Sequence, residues 1–184
     1  MEYRRETTPG ATYFFTVNLE DRRRTDLVAN IGLLRRVVAD VRGRHPFRID
    51  ASVILPDHLH MIWTLPESDA DFAVRWALIK GGFSRQLQKD EVLARSRASK
   101  RERGIWQRRY WEHRIRDEMD LERHVDYVHY NPVKHGYAPE PVAWPYSSIH
   151  WFVRTGRVCR SWGGADNGED FGEPGVSCRP REGS

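Results

Sequence analysis

Along residues 11–66 the spacing of hydrophobic residues switches between the two-residue period of a strand and the 3.6-residue period of a helix. This pattern predicts three strands and one helix. Residues 11–19 (ATYFFTVNL) are rich in aromatic and β-branched side chains, which favours a strand. Apolar residues then recur at helical spacing through residues 26–45. Residues 47–55 alternate again, which predicts a second strand with its apolar side chains on one face. Residues 58–66 predict a third strand after a turn at Pro56.

The same patterns predict four further elements. Apolar positions at helical spacing predict a helix over residues 69–88, and alternation predicts a fourth strand over residues 105–117. Residues 118–131 predict a third helix, which should end before Pro132 because the residue preceding a proline resists the α conformation. Residues 143–156 predict a short closing helix.

The resulting order, β-α-β-β-α-β-α, predicts an α+β domain of the ferredoxin-like or RRM-like type. Such a domain has a four-stranded antiparallel sheet with two helices on one face. The third helix, which carries Tyr127, is expected near the open face of the sheet. The domain should occupy residues 1–156, since residues 157–184 are Gly-rich and acidic and are predicted to form a disordered tail.

The sequence PDHLH places two histidines within an apolar stretch. Side chains alternate along a strand, so His58 and His60 lie on one face, about 6–7 Å apart. Two imidazoles at this spacing can share a metal ion and leave positions open for a phosphate oxygen. A plain turn between two strands would explain the same residues without a metal.

A second candidate group lies on the third predicted helix, in HVDYVHYNP. Tyr127 and Asn131 are one helical turn apart, on the same face. A tyrosine hydroxyl can attack a phosphodiester if a metal ion polarises the phosphate. The Asn131 amide can be a third metal ligand or can position the phosphate. Tyr130 is a rival nucleophile that helical geometry alone does not exclude.

The distribution of charge favours a polyanionic partner. Residues 75–116 contain 13 Lys or Arg residues but only four acidic residues, and cations that neutralise phosphates release counterions. An arginine-rich, solvated surface would give the same count. The chain has two cysteines and no apolar run of membrane-spanning length, which favours the cytoplasm and excludes a membrane protein.

Five segments in series resemble the REP-associated tyrosine transposases, which are bacterial members of the single-tyrosine HUH superfamily. The resemblance covers roughly residues 3–156. The segments are FFTVNLEDRR, VILPDHLHMIWTLPESDADFAVRW, IWQRRYWEHRIRD, HVDYVHYNPVKHGYA and WPYSSIH.

This resemblance implies an enzyme that cleaves and rejoins single-stranded DNA at repetitive extragenic palindromic (REP) hairpins. The implied cofactor is Mg²⁺ or Mn²⁺, and the implied intermediate is a 5′-phosphotyrosine. The HUH pair falls on His58 and His60, the nucleophile on Tyr127, and the polar residue that assists the metal on Asn131. The resemblance and the short link before the third helix both favour a monomer that acts in cis.

The basic stretch then has a specific expected role in binding the hairpin. Unpaired bases could stack on Trp106, Tyr110 and Trp111. Arg4 and Arg5 could read the tetranucleotide that precedes the hairpin. The cations expected to contact DNA phosphates are Lys80, Arg85, Arg108, Arg109, Arg114 and Arg116.

Two other functions are compatible with the sequence. A catalytically silent, ferredoxin-like protein could bind DNA or RNA hairpins without a metal. A metal-dependent nuclease that uses water could cleave DNA without forming a covalent adduct, with Tyr127 in a structural role.

Overall fold

The computed structural model describes residues 7–88 and 103–164, and its centre is a four-stranded antiparallel sheet with the order β2-β3-β1-β4. The strands are β1 (Thr12–Asn18), β2 (Arg48–Ile54), β3 (His58–Thr64) and β4 (Trp111–Arg114). The predicted α+β, ferredoxin-like class is confirmed. The two inner strands, β3 and β1, therefore have hydrogen-bonded neighbours on both sides.

One face of the sheet is covered by two helices, as predicted. These are α2 (Ile31–Arg44) and α3 (Phe72–Gln86), and a four-residue helix, α1 (Asp26–Ala29), precedes α2. The predicted helix over residues 26–45 is thus interrupted at Asn30. The core between the sheet and α3 is aromatic, since the indole rings of Trp63 and Trp76 stack with centroids 4.3 Å apart.

The opposite face is covered by the tyrosine-bearing helix α4 (Glu118–Lys134) and by α5 (Ile149–Arg154), with a 3-10 helix at Pro141–Ala143 between them. Val125 and Val128 of α4 pack there with side chains from β1, β2 and β3 to form a second hydrophobic core. Burial of this apolar stripe fixes which face of α4 points at the sheet.

Strand β2 differs from its prediction because it contains an irregularity. Ile49 pairs with Trp63 but Ala51 pairs with Ile62, so the register shifts at Asp50. An extra residue of this kind resets the alternation of side chains. The expectation that residues 47–55 place all their apolar side chains on one face is therefore wrong. Phe47 lies in the first core, and the second core contains Ala51, Val53 and Leu55.

Two element boundaries also differ from prediction. The fourth strand, expected over residues 105–117, is limited to Trp111–Arg114, although Trp106 forms an isolated bridge with Leu19. Helix α4 does not end before Pro132 but continues to Lys134. Backbone bonds from His135 to Asn131 and from Tyr137 to Pro132 stabilise the last turn beyond the proline.

The packed part of the chain extends beyond Gly156. Residues 157–164, which the sequence pattern assigns to the tail, place Val158 and Trp162 in the second core. The rest of the predicted tail lies outside the described residues. Within residues 7–88 and 103–164, no helix is both long and apolar enough to span a membrane.

Candidate active site

The two histidines of β3 lie on the face of the sheet that α4 covers. Their imidazole centroids are 5.1 Å apart, and both residues are buried, with 3% of His58 and 2% of His60 exposed. The alternation of side chains along a regular strand places them side by side, as predicted.

Each imidazole is oriented through its Nδ1 atom. His58 Nδ1 lies 2.7 Å from an Asp57 carboxylate oxygen, and His60 Nδ1 lies 2.9 Å from the Thr16 hydroxyl. Arg22 in turn donates a hydrogen bond to Asp57. Partners of this kind fix the tautomer and the ring plane of metal-ligating histidines, which leaves Nε2 for the metal. His60 Nε2 is indeed buried without a hydrogen-bond partner.

Burial favours the neutral form of both imidazoles. It lowers the pKa of His60 to about 3, assisted by the neighbouring His58 and His135, while an interaction with Asn131 partly opposes the fall. Burial also lowers the pKa of His58, although Asp57 acts in the other direction. Burial alone would raise the pKa of Asp57, but hydrogen bonds with His58 and Arg22 outweigh it and lower the pKa. Neutral imidazoles are the form that binds metal ions.

Tyr127 of α4 lies directly beside this pair. Its ring meets the His60 imidazole edge-on with centroids 5.2 Å apart, and it also contacts Phe14 at 5.8 Å. The residue is 38% exposed, so a substrate can reach it. The ammonium nitrogen of Lys134, two turns further along α4, lies 4.9 Å from the centre of the Tyr127 ring.

Asn131 lies one turn after Tyr127 and is completely buried. Its amide nitrogen donates a long hydrogen bond of 3.5 Å to the backbone carbonyl of Tyr127. Its Oδ1 atom is buried without a partner, like His60 Nε2. Unsatisfied buried polar atoms are costly and rare, and a shared ligand such as a metal ion would satisfy both atoms.

Tyr130 lies elsewhere on the helix. It is partly buried against the second hydrophobic core, beside Gly163 and the 3-10 helix residue Pro141. The packing of the chain after α5 thus separates the two tyrosines, with Tyr127 towards the histidines and Tyr130 towards residues 157–164.

Four residues that support the site were not predicted from the sequence. Asp57, Thr16 and Arg22 orient the histidines, and His135 places its ring 5.0 Å from that of His58. Asp57 stands next to His58 in the sequence and could have been inferred. His135 could not, because the pattern predicted that the helix ends before Pro132.

The residues expected to bind DNA form two groups. A cavity of about 540 Å³ between α3 and residues 103–110 is lined by Lys80, Arg85 and Arg108. Lys80 donates a 2.6 Å hydrogen bond to the Gln107 carbonyl, so it also links α3 to residues 103–110 across the cavity. Arg109, Arg114 and Arg116 lie on or beside β4, on the far side of β1 from His60. Arg4 and Arg5 lie outside the described residues.

A further polar cluster joins β4 to the start of α4. His113 Nε2 lies 2.8 Å from an Asp120 carboxylate oxygen, and His124 Nδ1 lies 3.2 Å from the other. Ligand atoms of these three residues lie within 4.8 Å of one another, which a metal site requires. However, His124 Nδ1 also lies 2.8 Å from the Asp120 backbone carbonyl, an acceptor, so this nitrogen carries a proton and does not offer a lone pair.

Comparison of the sequence with known proteins identifies the family of this chain. A REP-associated tyrosine transposase of Escherichia coli is 42% identical over 163 residues, which cover 89% of this chain and 91% of that protein. A relative from Haemophilus influenzae carries the same family designation and is 46% identical over 163 residues, with coverage of 88% and 93%. The chain belongs to the REP-associated tyrosine transposases. It is therefore an enzyme of the tyrosine transposase class.

A solved structure supports the same assignment. A REP-associated tyrosine transposase bound to a REP hairpin superposes with a TM-score of 0.77 at 41% identity, over 96% of this chain and 99% of that chain. No family model matches the sequence. The predicted family resemblance is confirmed by the two relatives and by this structure.

Proposed function

We propose that this transposase cleaves and rejoins single-stranded DNA at REP hairpins, with Tyr127 as nucleophile and Mg²⁺ or Mn²⁺ as cofactor. The observation that carries the proposal is the convergence of Tyr127, His60 Nε2 and Asn131 Oδ1. Neither of the two buried atoms makes a hydrogen bond of normal geometry, although Asn131 lies close enough to His60 to affect its pKa. A tyrosine with only a structural role would not need an exposed ring. It would also not need a neighbouring imidazole nitrogen that lacks a normal hydrogen bond.

The proposed metal ligands are His58, His60 and Asn131. Two neutral imidazole nitrogens and one amide oxygen form a mixed ligand set for a divalent ion. Water and phosphate oxygens, which suit Mg²⁺ and Mn²⁺, would take the positions that stay open. When bound, the ion would polarise the scissile phosphate and stabilise the negative charge that develops on it. Asp57 and Thr16 would hold the two rings in the plane that this role requires.

In the proposed reaction the Tyr127 hydroxyl loses its proton to water and its oxygen attacks the phosphorus atom, while the bond from phosphorus to the 3′ oxygen breaks. The departing 3′ oxygen takes up a proton, so the products are a 5′-phosphotyrosine on Tyr127 and a free 3′-hydroxyl. Attack by a 3′-hydroxyl on the phosphotyrosine reverses the step and rejoins DNA without an external energy source. We infer that the Lys134 ammonium, which lies over the Tyr127 ring, stabilises the negative charge on the attacking Tyr127 oxygen.

Substrate recognition is proposed from the relative whose structure contains a REP hairpin. The predicted phosphate contacts are the cations around the α3 cavity and along β4, with Arg4 and Arg5 near the single-stranded flank. Contacts to phosphates of this type do not depend on base sequence and weaken with salt.

We further propose that the protein acts as a monomer in the cytoplasm. Tyr127 and the His58/His60 pair come from the same chain, so the site needs no tyrosine from a second copy.

A cleavage assay tests the proposal. Single-stranded DNA with a REP hairpin and its flank is incubated with Mn²⁺ or EDTA, and the products are separated on a denaturing gel. We expect a Mn²⁺-dependent protein–DNA adduct that Tyr127→Phe abolishes and that the matched control Tyr130→Phe retains. Cleavage without an adduct would indicate a water-dependent nuclease. Metal-independent binding with neither cleavage nor adduct would indicate a catalytically silent hairpin-binding protein.

A further inference from the structure

Trp111 lies in the basic stretch of residues 75–116, and its side chain is exposed. It is 52% exposed at the first position of the edge strand β4. The two neighbouring aromatics are used for packing instead, since Trp106 is only 5% exposed and Tyr110 packs against the first core. An exposed aromatic ring within a basic segment is the kind of surface on which proteins stack unpaired bases.

The Trp111 ring is nevertheless held in a fixed orientation. The Phe14 and Trp111 rings meet in a T-shaped arrangement with centroids 5.5 Å apart. The His113 ring lies nearly parallel to the indole, at an interplanar angle of 8° and a centroid distance of 5.9 Å. His113 itself stacks on His124 at 4.7 Å.

The Asp120 carboxylate fixes the position of the His113 ring in this stack. It accepts hydrogen bonds from His113 Nε2 and from the backbone N–H of Arg116, at 2.8 and 3.0 Å. The pKa of Asp120 is lowered, because hydrogen bonds with His113 and Arg116 outweigh the effect of burial, so the carboxylate stays charged. The cluster of His113, Asp120 and His124 therefore explains how an exposed indole is held without being buried.

The position of Trp111 relative to the reaction centre is set by the sheet. Thr16 of β1 pairs with His60 on one side and with Trp111 on the other, so all three side chains point to the same face. Neighbouring strands are about 4.8 Å apart, which puts the Trp111 and His60 backbones roughly 10 Å from each other. Phe14 contacts both Trp111 and Tyr127 and spans the space between them.

We propose that Trp111 is the stacking platform for an unpaired base of the single-stranded flank, next to the phosphate that Tyr127 attacks. This inference rests on the proposed function, because it takes the scissile phosphate to lie at Tyr127. A nucleobase is the occupant that the surface fits, since the exposed ring is flat and the segment that carries it also contains Arg109, Arg114 and Arg116. The Arg116 side chain is 73% exposed beside β4, 3.8 Å from Asp120, and the Lys134 ammonium lies 4.9 Å from the centre of the Tyr127 ring.

The role follows from the physics of single-strand recognition. Every base has a π face, so stacking on an aromatic ring holds an unpaired nucleotide with little dependence on sequence. A ring that is already oriented loses little entropy when the base binds. Trp111 would therefore position the flank and hence the scissile phosphate, while the hairpin stem is bound elsewhere.

Binding measurements on two DNA molecules test this role. One is a REP hairpin with its single-stranded flank, and the other is the same stem and loop without the flank. We expect Trp111→Ala to raise the Kd of the flanked hairpin on the order of 10-fold and to leave that of the flankless hairpin unchanged. Trp111→Phe should retain most of the affinity. Trp151→Ala, which removes an indole that is 41% exposed on α5, serves as the matched control.

Abasic substitutions then identify the stacked base. Each flank position is replaced in turn by an abasic nucleotide, and binding is measured with the native chain and with Trp111→Ala. At one position the two changes should be non-additive, because each removes the same stack. An equal loss on flanked and flankless DNA, full additivity at every position, or no loss at all would overturn the proposal.

The binding readout separates this inference from the proposed chemistry. These measurements need neither cleavage nor metal, so a flank-specific effect of Trp111→Ala would stand even if Tyr127 formed no adduct. Conversely, an adduct at Tyr127 together with unchanged flank binding in Trp111→Ala would overturn the stacking role alone.

Discussion

The Tyr127 ring packs edge-on against the His60 imidazole, with ring centroids 5.2 Å apart. These residues come from α4 and β3, and the contact exists because Val125 and Val128 bury the adjacent stripe of the helix against the sheet. The second core therefore positions the proposed nucleophile against the proposed metal ligands.

The hydroxyl of Thr16 should control metal affinity without touching the metal. It lies 2.9 Å from His60 Nδ1, and Thr16→Val removes this hydrogen bond while keeping the shape of the side chain. Loss of such a partner typically weakens metal binding about 10–100-fold. Free Mn²⁺ in a titration can be followed by electron paramagnetic resonance.

Thr12→Val is the control for this experiment. Thr12 lies on the same strand and bonds the Thr64 hydroxyl at 2.8 Å, away from the histidines. We expect native Mn²⁺ affinity for Thr12→Val. Unchanged affinity in Thr16→Val would argue against His60 as a ligand.

The stability of the metal-free protein should fall as the pH drops below 6.5. Burial lowers the pKa of His60 from 6.5 to about 3, so between these values the unfolded chain binds a proton that the folded chain does not. This difference lowers the free energy of unfolding by up to about 1.4 kcal/mol per pH unit. The stabilisation is thus present above pH 6.5 and is lost towards pH 3.

Urea unfolding in EDTA at several pH values between 7 and 4 would measure this dependence. His60→Gln should have a shallower slope, since glutamine does not titrate. Identical slopes in the native chain and His60→Gln would contradict the assignment of a buried, neutral His60.

Lys134 should accelerate cleavage through its charge. Its ammonium nitrogen lies 4.9 Å from the centre of the Tyr127 ring, where a positive charge stabilises a phenolate or a phosphotyrosine. We expect Lys134→Gln to slow adduct formation about 10-fold, equivalent to about 1.4 kcal/mol in the barrier. Single-turnover measurements at saturating DNA would separate this effect from weaker binding.

Lys134→Arg is the matched variant, because it keeps the charge. It should retain most of the native rate. Equal rates for Lys134→Gln and the native chain would show that the ammonium does not assist the reaction.

The sequence was informative where local rules decide the structure. Alternation along one strand placed His58 and His60 on one face, and the four-residue spacing placed Asn131 one turn after Tyr127. It was less informative where tertiary contacts override a local rule. The shift at Asp50 resets β2, and the helix passes through Pro132 because later residues bond its last carbonyls. His135 and Lys134 reach the site only for that reason.

Long-range pairing was the other feature that the sequence could not supply. The support of His60 by Thr16 depends on the register between β1 and β3. The choice of Trp111 over Trp106 and Tyr110 depends on which residues the sheet buries. Charge counts located the basic segment but not the internal hydrogen bond of Lys80.

The most direct test of the account is to locate the covalent bond. The adduct formed with Mn²⁺ and a flanked REP hairpin would be digested with nuclease and trypsin, and the peptides analysed by tandem mass spectrometry. Residues 124–134 (HVDYVHYNPVK) form one tryptic peptide that contains both Tyr127 and Tyr130, and fragmentation distinguishes them. The account predicts a 5′-phosphonucleotide on Tyr127. The same modification on Tyr130, or cleaved DNA without any modified peptide, would contradict it.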